Sequence, residues 1–249
     1  MLFRSLSKAP IFLKGDCIAL RKMIESHITE GDNKLLLFKL DDGKLRPSKT
    51  LQNVLGKMLD GNEEFTLIDD QKVVYENALK LAKESNIDNK KRVLIVEGGP
   101  GTGKSVVAIN LLVKFNQGGI PSQYVSKNAA PRNVYSQKLR KNYNQKYISS
   151  LFSGSGAYFN SPKSIFGALI ADEAHRLNEK SGMYGNLGEN QIKEIIYASK
   201  FSIFFIDENQ KISFSDIGSV KEIKKWAEEL GAEITTLKLE SQFRCNGSD

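Results

Sequence analysis

The sequence predicts an α/β protein, with a parallel sheet covered by helices on both faces and a small accessory region at the N-terminal end. Two observations predict it. From about residue 90 onward, apolar and β-branched runs recur at Val93–Val96, Ala168–Ile170 and Ser202–Ile206, with shorter ones near Ser122–Val125 and Glu233–Leu237. Helical patterns alternate with them, at about 71–85, 104–116, 131–141, 189–198 and 219–230. Strands apolar at successive positions need cover on both faces, and helical crossovers between parallel strands supply it.

The elements follow in order. Residues 1–62 form the accessory region: a helical pattern from Asp16 to His27, the apolar run Leu35–Phe38, the turn Asp41-Asp42-Gly43, and a helix from about Ser48 to Leu59. Gly61-Asn62 closes that helix with residues tolerant of positive φ. Residues 63–249 hold the alternating strands and helices. Within them, the Gly/Ser-rich stretch Ser150–Ser164 and the three-glycine stretch Lys180–Gly188 read as loops.

Composition narrows the function classes. With 249 residues, 40% hydrophobic and 26% charged, the chain has the make-up of a folded domain rather than a disordered or collagen-like one. No apolar run approaches the roughly 18 residues of a membrane span. The opening MLFRSLSKAPIFLKG lacks the continuous apolar core of an export signal, and Cys17 and Cys245 are too few for a disulfide framework. A cytoplasmic protein is the expectation. The net charge of +7 is unevenly placed: fifteen acids fall in 1–97, none in 98–171, and fourteen in 172–249. The acid-free segment carries nine Lys and Arg and the whole positive excess. A polyphosphate partner would select such a segment, through phosphate pairing and counterion release, and so would a merely solvated basic surface.

Directly after the strand Val93–Val96 stands Gly98-Gly99-Pro100-Gly101-Thr102-Gly103-Lys104-Ser105, and a helical pattern follows. This is G-x-x-x-x-G-K-[ST] between strand and helix, the context a phosphate-binding loop requires. Glycines let the backbone wrap phosphates, and successive N–H groups and the helix dipole attract anions. Lys104 is expected to reach the β- and γ-phosphates of ATP, and Ser105 to ligate Mg²⁺. The strand Ala168–Ala171 delivers Asp172-Glu173-Ala174-His175. Asp172 is expected to hold Mg²⁺, mostly through water, and Glu173 to polarise the attacking water. His175 either couples the nucleotide to a nucleic acid or caps the turn.

With these two motifs in place, the chain resembles superfamily 1 helicases, and most closely the bacterial Schlafen-like DNA/RNA helicase family. The resemblance spans roughly residues 63–249 and implies the first RecA-like motor domain of such an enzyme. Phe65–Gln71 is similar to the glutamine motif, which makes Gln71 the reader of adenine. Tyr124–Arg132 is similar to motif Ia, which implies single-strand contacts at Lys127, Asn128 and Arg132. Lys138–Tyr147 mixes cations and tyrosines in a way that suits stacking and phosphate neutralisation, with Lys138, Arg140 and Lys141 as candidates. Ile206–Gln210 is similar to motif III, so the resemblance makes Gln210 the γ-phosphate sensor. Leu239–Asn246 is similar to motif IV, with Arg244 reaching the γ-phosphate. The resemblance implies a second RecA-like domain that this sequence does not carry; truncation, or failing that a second domain in trans, is the expectation, and this fragment alone is expected to turn over ATP weakly. The implied function is an ATP-hydrolysing motor on single-stranded DNA or RNA. A nucleotide-gated switch or scaffold without translocation is the alternative.

Overall fold

The computed structural model describes residues 16–27, 51–60, 67, 69–182, 185–210 and 216–240. The chain divides into two compact units, Met1–Lys49 and Thr50–Asp249. Of the first, α1 (Cys17–His27) is described. The Leu35–Phe38 run and the Asp41–Gly43 turn lie outside the described residues. The expected boundary after residue 62 is corrected, because α2 (Leu51–Leu59) belongs to the second unit. The physical reason is its apolar stripe. Leu55 and Met58 lie one turn apart and are buried in the second unit's core, where Gln117 Nε2 also donates to Met58 O at 3.3 Å.

The second unit continues with α3 (Asp69–Asp88), β1 (Arg92–Gly98), α4 (Lys104–Gln117), β2 (Ser122–Val125), α5 (Ala129–Leu139), α6 (Gln145–Leu151), β3 (Phe152–Ser153), β4 (Phe166–Ala171), α7 (Gln191–Ala198), β5 (Ser199–Ile206), α8 (Val220–Glu229) and β6 (Glu233–Leu239). The sheet order is β3-β2-β4-β5-β1-β6, and every pairing is parallel. β1, which feeds the glycine-rich loop, and β4, which ends before Asp172, flank β5. This is the RecA-like arrangement expected from the sequence.

Strand periodicity builds two cores. Leu94 and Val96 point to one face, packed with Val74, Ala78 and Ala82 of α3 and Val107 and Leu111 of α4. Val93 and Ile95 point to the other, with Ile192, Ile195 and Ile196 of α7 and Ile223 and Trp226 of α8. All four β1 residues are fully buried, and burying each such side chain stabilises by about 1.5–3 kcal/mol. At the sheet's opposite edge, the Lys91 ammonium donates to Ile196 O (2.8 Å), Tyr197 O (2.9 Å) and Ser199 O (2.6 Å), closing the C-terminal end of α7.

Two elements run through a stretch expected to be loop or left unassigned. α6 starts where the Asn144 side chain accepts from Tyr147 N at 2.8 Å. β3 is two residues long and exists through its pairing, Tyr124 with Phe152 and Val125 with Ser153. Because every strand runs the same way, Gly98, Val125, Ala171, Ile206 and Leu239 all arrive at one edge, and the candidate site is built there.

Candidate nucleotide site

The loop between β1 and α4 needs left-handed backbone at two points, Gly101 (φ 81°) and Gly103 (φ 84°). Gly103 is needed for a second reason: the Gln71 side-chain amide occupies the space a Cβ would take. Gln71, 6% exposed, donates from Nε2 to Thr102 O at 3.0 Å, so the first turn of α3 braces the loop. Thr102 Oγ1 donates to Gly99 O at 3.0 Å. Lys104, 7% exposed, donates from Nζ to Gly98 O (2.6 Å) and Gly99 O (2.7 Å). A buried ammonium thus stands inside the loop at the positive end of a fourteen-residue helix, a setting that attracts anions.

β4 carries the opposing oxygens. Asp172 N still donates to Val125 O at 2.9 Å, which anchors the residue at the strand end. Its carboxylate, 2% exposed, accepts three hydrogen bonds: Ser105 Oγ (2.6 Å) and Tyr124 OH (2.7 Å) on Oδ2, and Glu173 N (3.0 Å) on Oδ1. Burial pushes the Asp172 carboxyl above its ordinary range, the Ser105 and Tyr124 bonds oppose that, and the Glu173 charge adds to the rise. Burial, with the Asp172 charge second, also holds the Tyr124 phenol well above its ordinary range. Among the described residues no group of three or more His, Cys, Asp or Glu could hold a metal. The oxygen donors Ser105 and Asp172, beside the glycine-rich loop, fit Mg²⁺, which is bound through one or two carboxylates plus substrate oxygens and water.

Glu173 adopts left-handed backbone (φ 54°, ψ 44°), a conformation costing a non-glycine residue roughly 1–2 kcal/mol. The His175 bond leads in holding its carboxyl below the ordinary range; burial opposes, and the His175, Lys104 and Arg176 charges assist. His175 is buried, with Nε2 3.1 Å from Glu173 Oε2. Its Nδ1 accepts a long 3.4 Å bond from Asp207 N, so the Nε2 proton faces Glu173. His175 therefore bridges the Glu173 carboxylate and the end of β5. Gln210 closes the short turn Glu208–Gln210, where its N–H donates to Asp207 O at 3.1 Å. Between this turn, the start of the loop and the end of β6 lies a cleft of about 260 Å³, lined by residues including Gly98, Gly99, Asp207, Asn209 and Glu240. Glu240 N donates to Asp70 Oδ2 at 3.2 Å, so β6 ends beside the start of α3. Arg244 lies outside the described residues.

The family model for the Schlafen group 3 DNA/RNA helicase domain matches residues 91–249, well over half of the chain. The chain belongs to that family. No curated protein matches the chain. Among solved structures it is similar to the Pif1 helicase from Candida albicans at 14% identity, with 74% of this chain on 42% of that one and a TM-score of 0.42. The Pyrococcus furiosus Hef helicase domain follows at 14% identity, 68% and 37% coverage and a TM-score of 0.38. The Sulfolobus solfataricus SWI2/SNF2 ATPase core in complex with dsDNA is similar at 12% identity, 70% and 47% coverage and 0.35. The chain spans about two fifths of the length of the Pif1 structure. The family match begins after α3, so Gln71 lies outside it.

The structure separates the residues singled out for a nucleic acid. Lys127 is occupied: its Nζ donates to Asn178 Oδ1 and Asp216 Oδ1, each at 2.8 Å, and the Asp216 side chain is fully buried. Asn128 is the N-cap of α5, and its carbonyl accepts from Arg132 Nε at 3.3 Å. The Arg132 guanidinium lies against Gly154. Lys138, Arg140 and Lys141 are exposed at the α5–α6 corner. There Tyr143 packs its ring 5.3 Å from Tyr147 and donates its hydroxyl to Asp60 and Gly56 O.

Three residues of the site escaped the sequence reading: Tyr124, Asp216 and Gly218. Gly218 runs so close to the turn after Glu173 that a Cβ would overlap Ala174 O and stand 2.6 Å from His175 Cα. Ile217 N donates to Leu177 O at 2.9 Å, and Asn178 bridges to Asp216. Residues 216–218 thus form a clasp over Ala174–Asn178. The one signal for it in the sequence was a glycine following an apolar residue, which many loops share.

Proposed function

We propose that the Thr50–Asp249 unit binds ATP with Mg²⁺, hydrolyses it, and serves as the first motor domain of an enzyme moving on single-stranded DNA or RNA. The observation that carries this is the 2.6 Å bond from Ser105 Oγ to Asp172 Oδ2, which joins two motifs 67 residues apart at the mouth of the glycine-rich loop. Lys104 and the N–H groups of the loop 98–105, Pro100 excepted, bind the β- and γ-phosphates, with the ammonium exchanging its two carbonyl partners for phosphate oxygens. Ser105 and Asp172 hold the metal, which when bound neutralises charge developing on the phosphates. Glu173, kept ionised by His175, orients water for attack. Gln71 has its Nε2 committed to Thr102 O, which leaves Oε1 to accept from the adenine amino group. Gln210 and Arg244 sense and stabilise the γ-phosphate. Asn128, Arg132, Lys138, Arg140 and Lys141 line the path of the strand, and a second RecA-like domain completes the motor.

The test titrates a fluorescent ATP analogue into the full chain, with and without a labelled single strand at two salt concentrations. Lys104→Ala abolishes analogue binding, Glu173→Gln retains it, and the strand affinity changes with nucleotide and falls steeply with salt. Analogue binding that survives Lys104→Ala refutes the site, and strand affinity indifferent to nucleotide refutes the motor in favour of a scaffold.

A further inference from the structure

Tyr124 is the third residue of β2, and no motif gives it a role. Its register partner on β4 is Ile170, two residues before Asp172, so reaching the carboxylate takes a side chain as long as a phenol. The ring is buried and set edge-on against Tyr135 of α5 (centroids 5.9 Å apart) and Phe152 of β3 (5.9 Å), which stack on each other at 5.5 Å. Three interlocked rings hold the hydroxyl in one place. That hydroxyl donates to the same oxygen, Asp172 Oδ2, that Ser105 donates to.

The geometry points to Tyr124 as a positioning residue for the metal site, its hydroxyl fixing the Asp172 carboxylate toward a divalent cation bound with nucleotide. This rests on the nucleotide reading above. Ser105 does not anchor the carboxylate independently of the metal, since its oxygen is itself a ligand in that reading and its position follows the cation even while its proton remains on Oδ2. Tyr124 on Oδ2 and the Glu173 N–H on Oδ1 are the donors that are not themselves metal ligands, one on each oxygen. Phenylalanine keeps the ring packing and deletes only the donor.

The experiment titrates Mn²⁺ into the full chain loaded with a nonhydrolysable ATP analogue and reads bound metal by EPR. Analogue binding in EDTA is measured alongside by fluorescence. Tyr124→Phe weakens Mn²⁺ affinity about tenfold or more, the effect of losing a hydrogen bond to a charged group, and leaves analogue binding in EDTA unchanged. Tyr158→Phe is the control: that hydroxyl is also buried, but it donates to Gln123 Oε1 at 2.8 Å, away from Asp172, and its loss leaves Mn²⁺ affinity as it was. Wild-type Mn²⁺ affinity in Tyr124→Phe overturns the proposal, and so does equal weakening in both variants, which marks a general packing effect. A wild-type chain that takes no analogue either with Mn²⁺ or in EDTA brings down the nucleotide reading first, and the positioning role with it.

Discussion

Lys127 offers the sharpest separation between what a motif suggests and what the fold does with it. The perturbation is Lys127→Met, which keeps the length and apolar stem and removes the charge. Asp216 is fully buried on its side chain, and the Lys127 cation stands 2.8 Å from its Oδ1 with 26% of the lysine side chain exposed. Breaking a buried ion pair costs about 3–5 kcal/mol, and partial exposure of the lysine brings the expectation to about 2–3 kcal/mol. For a unit of some two hundred residues that is a fall in melting temperature of about 5–10 °C. The assay is thermal unfolding of Lys127→Met, Asp216→Asn and the double variant, beside single-strand binding at two salt concentrations. The double variant recovers most of the loss, because no buried carboxylate is left facing a missing cation. An unchanged melting temperature, with weakened strand binding and a shallower salt slope, would refute the reasoning and make Lys127 a phosphate contact.

Other predictions follow from single contacts. Gly218→Ala forces a methyl onto the Ala174 carbonyl and destabilises by about 1–3 kcal/mol; an unfolding curve superimposed on wild type would show that the clasp yields freely. Lys91 has its amine pushed down to about 8 by burial, with the Lys163 charge second. A base with a lowered folded pKa binds fewer protons than the unfolded chain between about pH 8 and its ordinary range near 10.4, so its contribution to stability rises across that window. Denaturant unfolding at pH 7.5 and 9.5 should show wild type gaining about 1–2 kcal/mol relative to Lys91→Met, and a flat or falling difference would count against it.

The sequence carried much of the fold because its signals are local. Short two-sided apolar runs rich in β-branched residues, such as Val93–Val96, fit buried parallel strands once long helix patterns alternate with them. The loop Gly98–Ser105 and the pair Asp172-Glu173 stood out for the same reason, as local residue patterns at strand ends, and the structure brings them together through Ser105 and Asp172. α2 was misplaced because an amphipathic stripe states that it needs a partner without naming one. β3 was invisible because two residues acquire strand character from their neighbours.

What the sequence by itself determined is therefore the alternation of elements and the motifs that parallel strands carry to one sheet edge. What only the tertiary structure decided is who touches whom across long separations: Gln71 bracing Thr102, Tyr124 reaching Asp172, Lys127 turned inward to Asp216, and Gly218 pressed on the turn after Glu173. Such contacts depend on register, helix packing and burial, which are properties of the whole folded unit and leave no mark on any short stretch of chain.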